Sequence, residues 1–364
     1  MTAPSLASDS IDLAAAHRHI DSVLGDFLEA KTRFAVAHGL PEAVPRALRG
    51  FLDAGGKRLR PLLCVIGWHA AGGGEAGAAP VIRTAAALEL FHAFALVHDD
   101  VMDDSPTRRG RPTVHRAFAE GHPAPRQHAC TAEKFGQNAA ILLGDLALVW
   151  ADELIHTAGL TKEQLTRVLP LVDAMRSEVM YGQYLDVSAS GRPTTDVAYA
   201  LRTIRYKTAK YTVERPLHIG AALAGGDDRL LGVLSRFALP LGEAFQLRDD
   251  LLGVFGDPCV TGKSHLDDLR EGKHTVLVAL ALRDAAPHHA ERLRHLLGRD
   301  DLGEAEAALI RSILTVTGAR THVEGMIARR HDQCTRLLAR PGLLPAEVAA
   351  ALRHLADTAT RRTS

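Results

Sequence analysis

Apolar residues recur along this chain at helical spacing and almost never alternate one by one. A half-buried strand needs a period of two and a buried helix stripe a period near 3.6, so the pattern excludes most sheet architectures. Ala and Leu, both strong helix formers, recur throughout, and aromatic residues make up only 5%. Such a chain is confined to packing helix on helix. Start and stop signals divide it. After a loose polar tail over residues 1–9, Ser10 is placed to cap a helix running through the thirties. Pro41 suits the first turn of a second helix, which Gly55-Gly56 ends. Pro61 opens a third, running to Ala71, and Val81 to about Asp104 forms a long fourth, stopped by Ser105-Pro106. Residues 107–131, rich in Arg, His, Pro and Gly, read as loop with short helical pieces. Helical patterns then cover 133–157, 162–187, 196–224, 228–254, 265–284, 302–317, 319–339 and 345–360, with Pro170, Pro216 and Pro240 placed to kink three of them. Thr275-Val276-Leu277-Val278 is the strongest strand candidate, but it runs straight into ALALRDA and is read as helix. With no linker composition and no internal repeat, the expectation is one all-α domain over 10–364, built from about ten long helices.

Composition removes several function classes. Lys plus Arg and Asp plus Glu number 43 each, for a formal net charge of zero. A chain without basic excess does not suit general binding to nucleic acid or anionic membranes, so any anion site must be a local basic cluster. Cys64, Cys130, Cys259 and Cys334 stand far apart with no C-x-x-C, which reads as free thiols in a reducing cytoplasm. The N-terminus has neither a basic nor an apolar region of the secretory kind, and the most apolar stretch, Ala139 to Trp150, is broken by Asp145. No membrane span is expected, and the location is read as cytoplasmic. Two short matches mislead. Gly72 to Gly77 fits G-x-G-x-x-G, but it follows a helical pattern rather than a strand, and Gly262-Lys263-Ser264 lacks a Walker glycine in register. The 19 histidines are scattered and none forms H-E-x-x-H, so no zinc site is expected.

Chemistry concentrates at two acidic helix ends. In His98-Asp99-Asp100-Val101-Met102-Asp103-Asp104, Asp99 and Asp103 lie one turn apart on one helical face, and Asp100 and Asp104 form a second such pair. Carboxylates this close repel one another, and at a helix C-terminus they also oppose the macrodipole. A hard cation resolves both conflicts, and oxygen ligands point to magnesium. Phe245 to Leu252 repeats the design, with Asp249 and Asp250 ending a second apolar run; the two clusters would face each other across a cavity. Basic groups complete the pattern. Lys57 and Arg60 stand three apart near a helix start, Arg108, Arg109 and Arg111 follow the first acidic cluster, and Lys207, Lys210, Lys263 and Lys273 lie near the second. Together they imply a substrate that carries phosphate and is held partly through metal.

At these residues the sequence resembles the trans-isoprenyl diphosphate synthases, from about residue 15 to 360. The motifs GGKRLRP, LELFHAFALVHDDVMDDSPTRRG, GDLAL, GQYLDV, YKTAKYT, FQLRDDLLGVFGDPCVTGK and DDLREGKHT occur in that family's order. The resemblance implies an all-α bundle around a central cavity, a homodimer, and a reaction between isopentenyl diphosphate and an allylic diphosphate (dimethylallyl, geranyl or farnesyl). It implies magnesium, three ions bound with the substrate diphosphate, on Asp99, Asp100, Asp103, Asp249 and Asp250. Lys57, Arg60, His92 and Arg109 match positions that hold isopentenyl diphosphate. Arg108, Lys207, Lys263 and Lys273 match those that hold the allylic diphosphate, and Thr208 and Gln246 match residues lining the allylic cation.

One position departs from the family. The second motif's usual third Asp is Gly253 here, so one carboxylate is expected to be missing; Asp257 and the downstream pair Asp267-Asp268 are not assigned as ligands. The implied chemistry is otherwise coherent. Ionising an allylic diphosphate needs its developing negative charge stabilised, a task for magnesium with Arg108, Lys207 and Lys263. Holding two anions side by side is a large entropic task, which accounts for the number of clamps. An apolar tunnel must accept the tail, at about 0.8 kcal/mol per methylene buried. Its floor lies upstream of Asp99, at Ala95, Phe94 and Phe91. A large aromatic at the fifth position before the motif, with a small residue at the fourth, resembles geranylgeranyl diphosphate synthases and implies a twenty-carbon product. The alternatives are a farnesyl or longer-chain synthase and, in another class, a non-catalytic regulatory subunit of a heteromeric synthase. A terpene cyclase fits less well: the region after Phe245 lacks that class's second motif, and the Lys57/Arg60 clamp would have no purpose.

Overall fold

The computed structural model describes residues 11–74, 77–122, 129–257 and 265–360. The architecture is all-α, and among the described residues the one pair of strands is a two-residue ribbon. The described residues cluster into two compact units, one built mainly from Asp12–Val65 and Gly73–Leu165 and the other from Ile66–Gly72 and the described chain after Leu165.

In the first of these units, α1 (Leu13–Ala37) begins at Asp12, whose carboxylate accepts from the Ala15 amide. Ser10, the expected cap, lies outside the described residues, as does the tail. Helix α2 (Ala43–Asp53) ends before Gly55, whose φ of 92° reverses the chain ahead of α3 (Leu59–Ala70). Helix α4 (Ala78–Met102) is the unit's central element: Ala85, Leu88, Leu90, Phe91 and Val97 are all buried. It packs on α6 (Ala129–His156) and α1, and the short α5 (Val114–Glu120) also packs on α6. By length and composition α4 alone among the described helices could cross a membrane, yet 72% of its most apolar window is buried, as in a core helix. The loop expected over 107–131 contains α5 and a hairpin of β1 (Thr107–Arg108) and β2 (Arg111–Pro112). Arg109 and Gly110 turn it, both at positive φ, as a two-residue hairpin requires. The glycine run at 72–74 lies between α3 and α4, a helix–helix connection rather than a strand–helix nucleotide loop.

The second unit is built on α10 (Asp228–Phe255), opened by an Asp227 cap on the Leu230 amide and carrying Pro240 within its length. It packs against a segment the sequence reads as ordinary helix but which is a π-helix, Ile204–Glu214. This i→i+5 winding is set between α8 (Val197–Thr203) and α9 (Arg215–Leu223). Two glycines hold it in place. A Cβ at Gly182 of α7 (Lys162–Ala189) would lie 2.3 Å from the Lys207 backbone nitrogen, and one at Gly242 of α10 would lie 2.4 Å from the Ala209 Cα. Only bare backbone allows neighbours so close. Pro216 lies at the second residue of α9, which follows the π-helix without a break. Pattern 265–284 splits into α11 (Asp267–Arg270) and α12 (Val276–Asp284); Thr275, read as helix against its β propensity, is the cap of α12 through the Val278 amide. Helix α13 (Pro287–Leu296) was not anticipated, because its three histidines and three charged residues mask a stripe of Ala290, Leu293 and Leu296. Helices α14 (Glu304–Val316), α15 (Ala319–Leu338) and α16 (Ala346–Thr360) follow the expected pattern. The core here joins Leu247, Leu251, Leu277, Leu280, Leu293, Ile310 and Val323.

Candidate active site

The apolar packing of α4 carries its acidic end to a defined position. Asp103 closes the helix, its amide bonded to the Asp99 carbonyl, so these two residues stack one turn apart as their spacing requires. Asp100 points elsewhere. Its side chain is 1% exposed and is clasped by Arg108, with Nε 2.8 and 2.9 Å from the two carboxylate oxygens and a terminal nitrogen at 2.6 Å. Burial pushes the Asp100 carboxyl above its ordinary range while Arg108 opposes the rise. The β1–β2 hairpin makes this possible by turning Arg108 back toward the helix it has just left. Arg108 also stands 3.8 Å from Asp99.

The isopentenyl-site candidates fall in the same unit. Lys57 and Arg60 flank the start of α3, Lys57 exposed and Arg60 half-buried. His92, from α4, has its pKa held well below the ordinary histidine value by desolvation and by the charges of Arg60, Arg108, Arg109 and Arg58. It is therefore neutral at physiological pH and offers one donor and one acceptor. Arg109 reaches Gly56: a Cβ there would meet its terminal nitrogens at 3.2 and 3.4 Å.

On the same helix, Phe91 and Phe94 differ. Both are buried and their rings meet at 5.2 Å, but Phe91 is 1% exposed, whereas Phe94 is 9% exposed and also stacks edge-on to His98 at 4.8 Å. His98 in turn contacts the Ile141 carbonyl and fits over Gly144, where a Cβ would lie 2.3 Å from the ring. Ala95 is half-buried.

In the second unit the π-helix presents Lys207 and Thr208. Lys207 Nζ is 2.5 Å from Asp186 of the GQYLDV run, and Thr208 donates to Gln246 Oε1 at 2.7 Å. Gln246 Nε2 then donates to Asp250 Oδ1 at 2.9 Å. Asp250 is buried, and burial together with the Asp268 and Asp249 carboxylates pushes its pKa up to about 8, against the Gln246 bond and Lys273. Asp249, the preceding residue of α10, is half-buried. Lys273 bonds Asp268 at 3.0 Å and Glu271 at 2.8 Å. Lys263 lies outside the described residues.

Gly253 has a reason that its sequence neighbours do not reveal. A Cβ built there would lie 1.9 Å from Asp268 Oδ2. The space a third aspartate's side chain would need is already filled by a carboxylate from α11. The position has no carboxylate of its own, and the carboxylate beside it in space is that of Asp268. Glu89, Arg58 and Asp186 were likewise not singled out from sequence, although each lies in or beside a quoted motif.

All donors at the two acidic ends are oxygens, and among the described residues no three His, Cys, Asp or Glu side chains form a closed metal cage. Two carboxylates per end suit a hard ion that keeps positions for water and phosphate oxygens, as magnesium does. Cys64 and Cys334 are free and buried, their thiols pushed up to about 12 by burial, and take no part in such chemistry.

Comparison with known proteins agrees with this arrangement. Residues 41–314 match the sequence model of the polyprenyl synthetase family. A geranylfarnesyl diphosphate synthase of Aeropyrum pernix is 32% identical over 326 residues, 88% of this chain and 95% of that one. A geranylgeranyl diphosphate synthase of Methanosarcina mazei is 31% identical, covering 85% of this chain and 84% of its own. Among solved structures, a geranylgeranyl pyrophosphate synthase of Corynebacterium glutamicum, complexed with isoprenyl diphosphate and magnesium, superposes with a TM-score of 0.90 at 40% identity, over 97% of this chain and all of that one. With its two acidic helix ends and the basic groups that accompany them, the chain belongs to the polyprenyl synthetase family and is a prenyltransferase.

Proposed function

We propose that this prenyltransferase condenses isopentenyl diphosphate with dimethylallyl, geranyl or farnesyl diphosphate to make geranylgeranyl diphosphate, as a magnesium-dependent homodimer. The observation that carries the reading is the end of α4, where Asp99 and Asp103 share one face while Asp100 is spent on Arg108. In this reading Asp99, Asp103 and Asp249 are the chief metal ligands, Asp100 and Asp250 support them, and three ions bind with the substrate diphosphate. Bound magnesium supplies stabilisation of the negative charge that grows on the leaving diphosphate. Arg108, Lys207, Lys263 and Lys273 hold the same diphosphate by charge-assisted bonds. Lys57, Arg60 and Arg109 orient isopentenyl diphosphate, and neutral His92 adds a directional bond without adding to the positive charge. Thr208 and Gln246, locked to one another, offer oxygens to the allylic cation. The departing diphosphate accepts the final proton.

Product length rests on Phe94. The Aeropyrum and Methanosarcina relatives bear names of different chain length at similar identity, so similarity alone does not choose. Phe94, at 9% exposure the less deeply buried of the two phenylalanines, lies nearer Asp99 than Phe91 does, which supports a twenty-carbon stop. The dimer is supported by an apolar stripe on α6: Phe135, Leu142 and Val149, seven residues apart, are 43%, 64% and 57% exposed. A second copy covering that stripe removes the cost of leaving it in water.

The test is direct. Pure protein is incubated with magnesium, labelled isopentenyl diphosphate and farnesyl diphosphate, and product length is read by mass. A twenty-carbon diphosphate supports the reading; longer products overturn the role of Phe94; no product from this or any shorter primer brings forward the regulatory-subunit alternative. Sedimentation of the wild type against Leu142→Glu tests the dimer, which the substitution should dissociate.

A further inference from the structure

Arg58 stands between the two basic residues assigned to isopentenyl diphosphate, yet its side chain is only 6% exposed. Its backbone adopts φ 45°, a left-handed conformation that a residue with a Cβ holds only at a cost of about 1 kcal/mol. Three contacts hold it there. Nε donates to Asp21 of α1 at 2.8 Å, one terminal nitrogen donates to Glu89 of α4 at 2.9 Å, and the other donates to the Leu52 carbonyl of α2 at 2.9 Å. The Arg58 carbonyl meanwhile accepts from the Leu62 amide and so begins α3. One guanidinium therefore ties three helices to the turn that starts a fourth.

Gly56 lies between two guanidiniums. A Cβ there would meet an Arg58 nitrogen at 3.1 Å and an Arg109 nitrogen at 3.2 Å. Two like charges so close need a shared anion, and Glu89 is placed for it: it is 4% exposed, bonded to Arg58, and its charge also acts on Arg109. Glu89 sits one turn before His92 on α4.

We propose that Arg58 and Glu89 are positioning residues of the isopentenyl diphosphate site: Glu89 is the common counter-ion that fixes Arg58 and Arg109 on either side of Gly56 and thereby sets Lys57 and Arg60 at the start of α3. This rests on the assignment of Lys57, Arg60 and Arg109 to that substrate. Neither residue touches the diphosphate; each acts on the residues that do. Removing the charge of Glu89 loosens one substrate's clamp and leaves the metal-binding end of α4 in place, because Asp99 and Asp103 lie about three and about four turns further along.

The test is steady-state kinetics of the full chain, with Lys57→Gln as reference and thermal unfolding in parallel. Glu89→Gln keeps the volume and one neutral hydrogen bond; it should raise KM for isopentenyl diphosphate about tenfold, with kcat and KM for the allylic diphosphate within about twofold. Glu89→Asp, which keeps the charge, should recover part of the loss. If Lys57→Gln raises that KM and Glu89→Gln does not, or if Glu89→Gln lowers only the melting temperature or weakens both substrates alike, the proposal is overturned while the site assignment stands. If Lys57→Gln leaves KM for isopentenyl diphosphate unchanged, the site assignment fails and the proposal with it. Should Glu89→Gln not fold, Arg58→Lys, which keeps the charge but loses the fork, reads the same split.

Discussion

The ends of α4 and α10 begin from the same sequence idea and finish differently. Each is an apolar helix ending in Asp-Asp, and in each the second aspartate is buried while the first remains half-buried. At α4 the buried partner, Asp100, is met by a full charge, Arg108. At α10 the buried partner, Asp250, is met by an amide, Gln246, and its pKa rises to about 8. The extra carboxylate also differs in origin: Asp103 comes from the same helix one turn on, whereas Asp268 comes from α11 and fills the space beside Gly253. One end is completed by its own chain direction and the other by a tertiary neighbour. A motif read as a string of letters therefore reports the first kind of site more faithfully than the second.

The comparison can be broken most decisively at the half-buried aspartates. Asp99→Asn and Asp249→Asn should each lower kcat about 10²–10³-fold in a pyrophosphate-release assay, the range seen when one transition-state charge stabiliser is lost. Equal activity in either variant would remove that helix end from the chemistry. The Asp268 carboxylate comes next. Asp268→Asn should weaken magnesium dependence about 10–100-fold, as expected of a group supporting a metal ligand. Gly253→Asp, which restores the family's letter, should not raise activity, because its side chain must displace the Asp268 carboxylate; the double variant Gly253→Asp/Asp268→Gly should recover part of what either loses. Gain of activity in Gly253→Asp alone would show that the glycine is a plain loss.

The two phenylalanines sharpen the contrast between packing and specificity on a single helix. Phe94→Ala should extend the product by at least one five-carbon unit, while Phe91→Ala should cost about 3–5 kcal/mol of stability with product length unchanged. An identical product spectrum from Phe94→Ala would take that residue out of the chain-length argument.

The smallest effect concerns the buried aspartates, measured as metal-free stability. Asp100→Asn leaves Arg108 with a neutral partner in a buried position and should cost about 3 kcal/mol. Asp250→Asn should behave in the opposite way. The folded-state pKa of Asp250 lies above its unfolded value, so the folded protein binds the proton more tightly, and stability is lost as pH rises from about 4 to about 8. An asparagine does not titrate, so the variant should gain on the wild type across that window and the difference should level off above it. Parallel denaturation curves from pH 4 to 8 would refute this.

Most of the helices were legible because the signals that make them are local. The Asp and Thr caps, the glycine stops and the 3.6-residue stripes act within one or two turns, and the boundaries from 129 to 255 fall within about four residues of those the pattern implies. Where local signals misled, packing had overruled them. The π-helix is invisible in YKTAKYT because its winding is imposed by close backbone contact at Gly182 and Gly242. Helix α13 hides its apolar stripe among charges, and the hairpin at 107–112 depends on a turn of Arg109 and Gly110 too short to leave a periodic trace.

The candidate site divides in the same way. The sequence by itself determined which residue types are present and which lie close along one helix or its start: Asp99 with Asp103, and Lys57 near Arg60. These follow from spacing along one chain segment, and the family resemblance gave them roles. Only the tertiary structure decided which aspartate is spent on an arginine, that Arg58 is a buried tie rather than a third anion clamp, and that Asp268 fills the space beside Gly253. Each of those is a contact between residues 8 to 37 positions apart. A charge's partner is chosen by which elements pack together, and the order of the letters does not state that packing.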